Sequence, residues 1–487
     1  MKKLRISILL GAFVIFGQVS CGDSFIDVDS FDEDSENFFN SEDDYQQALI
    51  AAYDMLQSTY LNVMLGEIAS DNTLAGGESA VDVPGIQEVD DMIHTPINQQ
   101  LRDIWSWMYA GVNRANYILE FQDKTDFPNK SQVLAEARFL RAYYYFELVK
   151  WFGDVPLAVD KRLLFGDQNT IERTPTNLVY EQIEADLIYA SQNLSYTSAQ
   201  DGRITKGAAL GLLGKAYLYQ NKYTDAATTL DDLIANGPYD LVADYTTIFE
   251  NDNENNIESV FEVQYSDIEG AGFGCLQCSE GNIAVGFNGI RNHTGPTYDS
   301  GFSFNVPTDE LYQSYAANDL RRDVAILDIE AWAANTGATY VEGFEHTGYY
   351  NRKYIARKGD RNTGDQNLTN PNNYRAIRFA DVLLMAAEAH NLKGLSDDDQ
   401  ARTYLNRVRT RAGLGDITSS GPQLTEAIKQ ERRWELAGEG HRFFDLVRNG
   451  DAAGTIPGFQ AGKHEVFPIP AIEIELAGNR WAQNPGY

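Results

Sequence analysis

The sequence predicts a mainly α-helical chain of stacked helix pairs that carries a loop-rich lobe with short strands. Three observations lead there. Apolar residues recur at helical spacing through most of 41–240 and 376–487, and the window from Gly207 to Pro238 fits a two-helix unit of about 34 residues. Between Asp240 and Asn373 that rhythm fades, and Gly, Asn, Asp and Tyr become frequent. With 487 residues, 43% of them apolar, the chain can bury a large core. The predicted division is a signal segment over 1–20, an acidic tether over 21–40, a helical-repeat region over 41–240, a loop-rich insertion over 241–375, and a closing helical region over 376–487.

The chain opens with Met1, Lys2, Lys3, Leu4 and Arg5, then the apolar run Ile6 to Phe16, then Gln18, Val19 and Ser20 leading to Cys21. A basic start, an apolar run too short to span a bilayer and a small-residue processing site describe an export signal. Cys21 at the cut resembles a bacterial lipobox, in which that cysteine is acylated and becomes the new N-terminus. Gln18 departs from the Leu common there, so an ordinary secretory signal with an incidental cysteine is the alternative. Beyond it, Asp27, Asp29, Asp32, Glu33, Asp34 and Glu36 read as a solvated tether. They do not make a calcium loop, because Phe31 takes the next ligand position and no Gly follows.

Tyr45, Ala48, Leu49, Ala52 and Leu56 form the first helical stripe, with Ser41 as its cap. After a polar, Gly-containing stretch over 66–96 come the stripe Leu101, Trp105, Met108, Val112, Ala115, Leu119 and the stripe Val133, Ala137, Leu140, Tyr144, Leu148, Trp151, the latter stopped by Gly153 and Pro156. A fourth runs from Thr176 to Leu194. From Gly207, the positions Leu210, Leu213, Gly214, Tyr217, Ala226, Leu230, Leu233 and Pro238 fall on tetratricopeptide spacing. Gly214 and Ala226 let two helices approach, and Tyr217 and Leu230 fill the seam. A looser copy runs from Arg378 through Ala387 to Ala401, Leu405 and Val408, giving about eight helices, or four pairs, in a right-handed superhelical stack. The insertion holds candidate strands at Ser259 to Gln264 and Gly348 to Ile355.

No Gly-x-Ser-x-Gly, His-Glu-x-x-His or complete dinucleotide fingerprint is present, and Gly214-Lys215 lacks the rest of a phosphate loop. No catalytic residue, cofactor or metal is predicted. Cys275 and Cys278 form a C-x-x-C whose readings are a local disulfide, free thiols, or a metal or redox site, the first being favoured in an exported chain. Glu431, Arg432, Glu435, Glu439, Arg442, Asp445 and Arg448 alternate in sign at helical spacing. That pattern predicts an ion-pair lattice rather than a glycosidase carboxylate pair. The formal charge of −32 argues against nucleic acid and anionic lipid as general partners.

Aromatic residues make up 12% of the chain. Trp105, Trp151 and Trp434 lie on helical stripes and read as core. Tyr298, Trp332, Tyr340, Phe344, Tyr349 and Tyr350 fall in the insertion, where flat rings either pack the lobe or stack on sugar faces beside hydroxyl-binding polar groups.

Several stretches together resemble the SusD/RagB family. They are Asp103 to Ala115 (DIWSWMYAGVNRA), Ala135 to Leu157 (AEARFLRAYYYFELVKWFGDVPL), Arg378 to Glu388 (RFADVLLMAAE), the charged segment with Arg442-Phe443-Phe444-Asp445-Leu446, and Phe467-Pro468-Ile469-Pro470 with the closing Gln483-Asn484-Pro485-Gly486-Tyr487. The resemblance covers 21–487. It implies a lipoprotein held on the outer membrane through acylated Cys21, surface-exposed, with four tetratricopeptide pairs as scaffold and a glycan site in the irregular lobe. It also implies a SusC-like TonB-dependent transporter as partner and no cofactor. Asp71, Asn72, Arg291, His293, Tyr298 and Trp332 are the expected glycan-binding residues, with a neutral polysaccharide or oligosaccharide as ligand. Capture of peptide or another nutrient on the same scaffold is the second reading, and a surface hydrolase the third.

Overall fold

Residues 38–487, apart from 271, 362, 365 and 366, are described by the structure, a computed structural model. The signal segment over 1–20, Cys21 and residues 21–37 of the predicted tether lie outside the described residues. Nine helices carry the scaffold: α1 (Glu42–Asp54), α2 (Gln99–Glu120), α3 (Lys130–Phe152), α4 (Thr176–Asn193), α5 (Lys206–Tyr219), α6 (Tyr223–Asn236), α7 (Phe379–Lys393), α8 (Asp398–Arg411) and α9 (Pro422–Leu436). From α1 to α8 each packs on the next, giving four pairs, and α9 lies against α7. The stack continues from α6 to α7 although the insertion separates them in sequence.

Local chemistry explains the boundaries. Ser41 caps α1, its hydroxyl accepting from the Asp44 N–H while the Asp44 carboxylate accepts from the Ser41 N–H at 2.9 Å. The Asn98 and Thr205 side chains cap α2 and α5 by accepting from the Leu101 and Ala208 N–H groups. Gly153, at φ 72°, ends α3. Gly214 lets α5 and α6 close up, since a Cβ there would lie 2.4 Å from the Leu230 side chain. Trp105 and Trp151 are core, while Trp434 is partly buried in a satellite cluster with Leu311 and Tyr315.

The insertion forms an irregular lobe. Ten strands among the described residues, none longer than five residues, make five two-stranded sheets. Ser259–Val263 pairs with Tyr374–Arg378, and Ile326–Asp328 with Tyr349–Asn351. Thr73–Gly76 pairs with Phe304–Pro307, which draws the loop after the short helix Tyr60–Ile68 into this lobe rather than the helical repeats. Cys275 and Cys278 are disulfide-bonded.

A buried ion-pair lattice binds the lobe to the scaffold. Arg378 contacts Glu258 at 2.6 Å, Glu435 at 2.9 Å and Glu439 at 2.7 Å; Lys353 contacts Glu439 at 2.7 Å. Arg321 contacts Asp319 and Glu431, each at 2.7 Å, and Glu435 at 3.0 Å, while Arg411 bridges Glu258 and Glu435 and Arg409 holds Glu431. Burial alone would raise the Glu435 carboxyl, but Arg411, Arg378, Arg321 and Lys353 outweigh it and hold it well below the usual range. Every lattice carboxylate is matched by a cation, which is the condition for tolerating charge at this depth.

Candidate functional site

The lobe presents one aromatic face built from three chain segments. Segment 290–298 and segment 337–344 run side by side: Thr294 and Thr339 exchange N–H···O bonds at 2.8 Å, and the Val341 N–H donates to the Arg291 carbonyl at 3.0 Å. The loop from Gly77 to Val83 closes the edge, its Gly77 carbonyl accepting from the Phe344 N–H at 2.8 Å. Trp332 rides on a two-turn helix, Ile329–Thr336, whose start is capped by Asp328 and whose end is turned by Gly337 at φ 73°.

Beneath this face sits a small core of Ile290, Tyr298, Leu327, Ile329, Tyr350 and Ile355, against which Trp332 and Tyr340 pack. Trp332 lies 5.1 Å from Tyr298 between ring centroids, and Tyr340 lies 5.6 Å from His346. Trp332, Tyr340, Phe344 and His346 are half-buried, so each ring keeps surface toward solvent, and Val81 and Val341 stand exposed beside them. The Trp332 Nε1 and His346 Nε2 are themselves buried and have no hydrogen-bond partner, so these two atoms are turned away from solvent. Arg291 donates to the Phe302 carbonyl at 3.0 Å and the Ser303 hydroxyl at 3.2 Å, and lies 3.7 Å from both Glu78 and Asp82. Rings held rigidly from below, with hydroxyl-binding groups at the rim, suit a flat polyhydroxylated ligand.

The structure brings four of the expected residues together and separates two. Arg291, His293, Tyr298 and Trp332 share this face or its support. Tyr298 is 1% exposed, so it backs Trp332 rather than offering its own surface. His293 is buried too, and burial lowers its pKa, leaving the imidazole neutral near pH 7. Asp71 and Asn72, also expected as glycan-binding residues, lie elsewhere. Asp71 pairs with Arg433 at 2.9 Å and Arg442 at 2.7 Å; fully buried Asn72 donates to Glu67 and accepts from Arg433, each at 2.9 Å. Asp71 edges a groove of about 650 Å³ shared with Asp90, Asp91, Glu310 and Glu345, a charged site without rings. Glu78, Val81, Asp82 and His346 were not anticipated; only the aromatic run around Tyr340 and Phe344 hinted at the last. Among the described residues no cluster of three or more His, Cys, Asp or Glu is placed to hold a metal, and no helix is long and apolar enough to cross a membrane.

Comparison with known proteins agrees with this architecture. Residues 328–465 match the SusD family, and residues 24–218 match a family described as starch-binding and associating with the outer membrane. SusD-like protein P2 of Formosa agariphila is 28% identical, over 93% of this chain and 94% of that one. A solved laminarin-binding SusD-like protein is 35% identical and superposes with a TM-score of 0.85 over 92% of this chain and all of its own. Surface glycan-binding protein A from Bacteroides thetaiotaomicron, solved with laminarihexaose, is 28% identical at a TM-score of 0.80, over 91% of this chain and 99% of that one. With the helical repeats, the irregular lobe and the family motifs all in place along nearly its whole length, the chain belongs to the SusD family.

Proposed function

We propose that this protein captures a neutral, laminarin-like glycan on the Trp332 face and passes it to a SusC-like TonB-dependent transporter, held at the outer-membrane surface through acylated Cys21. The observation that carries the reading is the half-buried Trp332 ring, braced by Tyr298 at 5.1 Å. A pyranose ring stacks on the indole, while Arg291, Glu78, Asp82 and His346 take hydroxyl groups at the rim. Similarity to a protein that binds laminarin and to one solved with laminarihexaose supports the ligand class.

No step of chemistry is assigned to the protein. The carboxylates that resemble a hydrolase set, Glu431, Glu435 and Glu439, are 0–1% exposed and bound to Arg and Lys, out of reach of any sugar. Delivery works by differential affinity: glycan held between this protein and the transporter favours the closed arrangement by as much as it binds that arrangement more tightly.

Affinity electrophoresis in gels cast with laminarin, starch and an anionic polysaccharide tests the reading. Retardation by laminarin that Trp332→Ala abolishes is expected. Retardation unchanged in that variant would move the site elsewhere, and none in any glycan would favour a peptide or small nutrient in the charged groove beside Asp71.

A further inference from the structure

A second surface, far in sequence from the aromatic face, has the chemistry of a lipid contact. The loop after α3 reads Lys161-Arg162-Leu163-Leu164-Phe165. Phe165 is 94% exposed and Leu164 56%, although the loop itself is firmly seated. Leu163 exchanges two hydrogen bonds with the Asn113 side chain, at 2.8 and 3.0 Å, and Arg162 pairs with Glu120 at 2.8 Å. A built loop that holds two large apolar side chains in water is a surface made to be covered.

Its location says by what. The Arg162 guanidinium lies 4.1 Å from the centre of the Tyr117 ring, and Phe38 stacks on the same ring at 6.1 Å. Phe38 is the first described residue, so the loop sits one aromatic ring from the point where the chain runs back toward Cys21. Sixteen residues lie between Cys21 and Phe38, and the span reaches at most about 60 Å when fully extended. An acyl group at Cys21 therefore ties this corner of the domain to the bilayer within that reach, and leaves it free to touch the surface. The nearby charges are mixed, Lys161 and Arg162 standing beside Asp160, Asp167 and Glu120. Attraction to anionic headgroups is thus weak, and apolar insertion is the driving force. Lys161, with 66% of its side chain exposed, can lay its methylenes along the interface with its ammonium in water.

We propose that Leu164 and Phe165 insert into the acyl boundary of the membrane and fix the orientation of the anchored protein. This rests on the lipid-anchoring reading above. The test uses the full acylated chain reconstituted in phosphatidylethanolamine–phosphatidylglycerol vesicles. Leu164→Cys carries a polarity-sensitive fluorophore, with Val81→Cys in the irregular lobe as the comparison site. An acylated Cys21 and the Cys275–Cys278 disulfide leave the introduced thiol as the one that labels. The expected result is a blue-shifted label at 164, quenched by acyl-chain nitroxide lipids about threefold or more beyond the label at 81. Adding Phe165→Ser should abolish that difference while leaving the melting temperature unchanged. Equal quenching at both sites with normal vesicle flotation would overturn the insertion alone, whereas loss of flotation would overturn the anchor together with it. Shielding of residue 164 only after outer-membrane proteins are added would also overturn it, giving the surface to a protein partner.

Discussion

Replacing Arg378 with Met should destabilise the protein in a way that depends on pH. The guanidinium contacts three carboxylates, Glu258, Glu435 and Glu439, and all four side chains are 0–1% exposed. Methionine keeps much of the volume but leaves the lattice one positive charge short. Removing one partner of a buried ion pair costs about 3–5 kcal/mol, because the other partner stays desolvated and unpaired. At ~2.1 cal/mol/K of unfolding entropy per residue, a domain of this size gains or loses about one degree in Tm per kcal/mol, so a fall of about 3–5 °C is expected at pH 8. Glu435 and Glu439 are held below their ordinary range in the intact lattice, so their stabilisation is present above the unfolded pKa and lost as pH falls through the folded one. Without Arg378 that pull weakens and the carboxyls titrate upward, so protonation at about pH 5 can neutralise the orphan charge and the penalty should shrink. Scanning calorimetry of both proteins at pH 8 and pH 5 reads both effects. A Tm within one degree of the parent at pH 8, or a deficit that grows on acidification, would refute the view that matched charge joins lobe to scaffold.

Gly214→Val forces a side chain into Leu230 across the α5–α6 seam and should cost about 2 kcal/mol in urea denaturation; a neutral result would mean the helix pair relaxes freely. Burial pushes the Asp90 carboxyl up to about 7, with Glu345 and Asp91 adding repulsion. The cost of ionising it is thus fully present above pH 7 and disappears below about pH 4, and Asp90→Asn should gain roughly 2–4 kcal/mol at pH 8 and nothing near pH 4. His94 is the mirror case: burial, then His464, lowers it to about 3. Its neutral form stabilises fully above about pH 6.5 and progressively less below, so His94→Gln should flatten the acid side of the stability profile. Reducing Cys275–Cys278, which closes a loop of sequence separation 3, should lower Tm by no more than about 2 °C, because so short a loop restricts the unfolded chain little.

The helical scaffold was legible because its information is local. Gly214, Ala226 and Leu230 mark a helix pair within one short window, and Gly153 states where α3 must stop. The charged segment was legible for the same reason: alternating Glu and Arg near Trp434 announce a lattice, though not that Arg321 and Lys353 of the lobe complete it. The aromatic face was half legible. Trp332 and Tyr298 stand out in a loop-rich stretch, but which ring faces water depends on packing that brings 290–298 onto 337–344. That Asp71 and Asn72 are held by Arg442 and Arg433, more than 360 positions later, was not legible, because such pairing is not local. Glu78, Val81 and Asp82 carried no signal, since backbone bonds with residues more than 220 positions later, Gly77 to Ser303 and Phe344 to Gly77, deliver them.

These pieces explain how a lobe of loops can hold the proposed binding face. Short two-stranded sheets are marginal alone, and a loose platform would lose affinity to the ordering of its side chains. Here the lobe is fixed from below: Arg321 and Lys353 tie it to the charged segment around α9, and Tyr374–Arg378, paired to Ser259–Val263, leads directly into α7. The scaffold thus lends rigidity to Trp332 through the lattice instead of through regular secondary structure, leaving the loops above it free to vary with the ligand. It follows that damage at Arg378 should weaken glycan retention at a temperature well below the melting point, without any change to a residue that touches sugar. Normal retention by a destabilised Arg378→Met protein would separate the platform from the lattice and show that the small core beneath Trp332 suffices by itself.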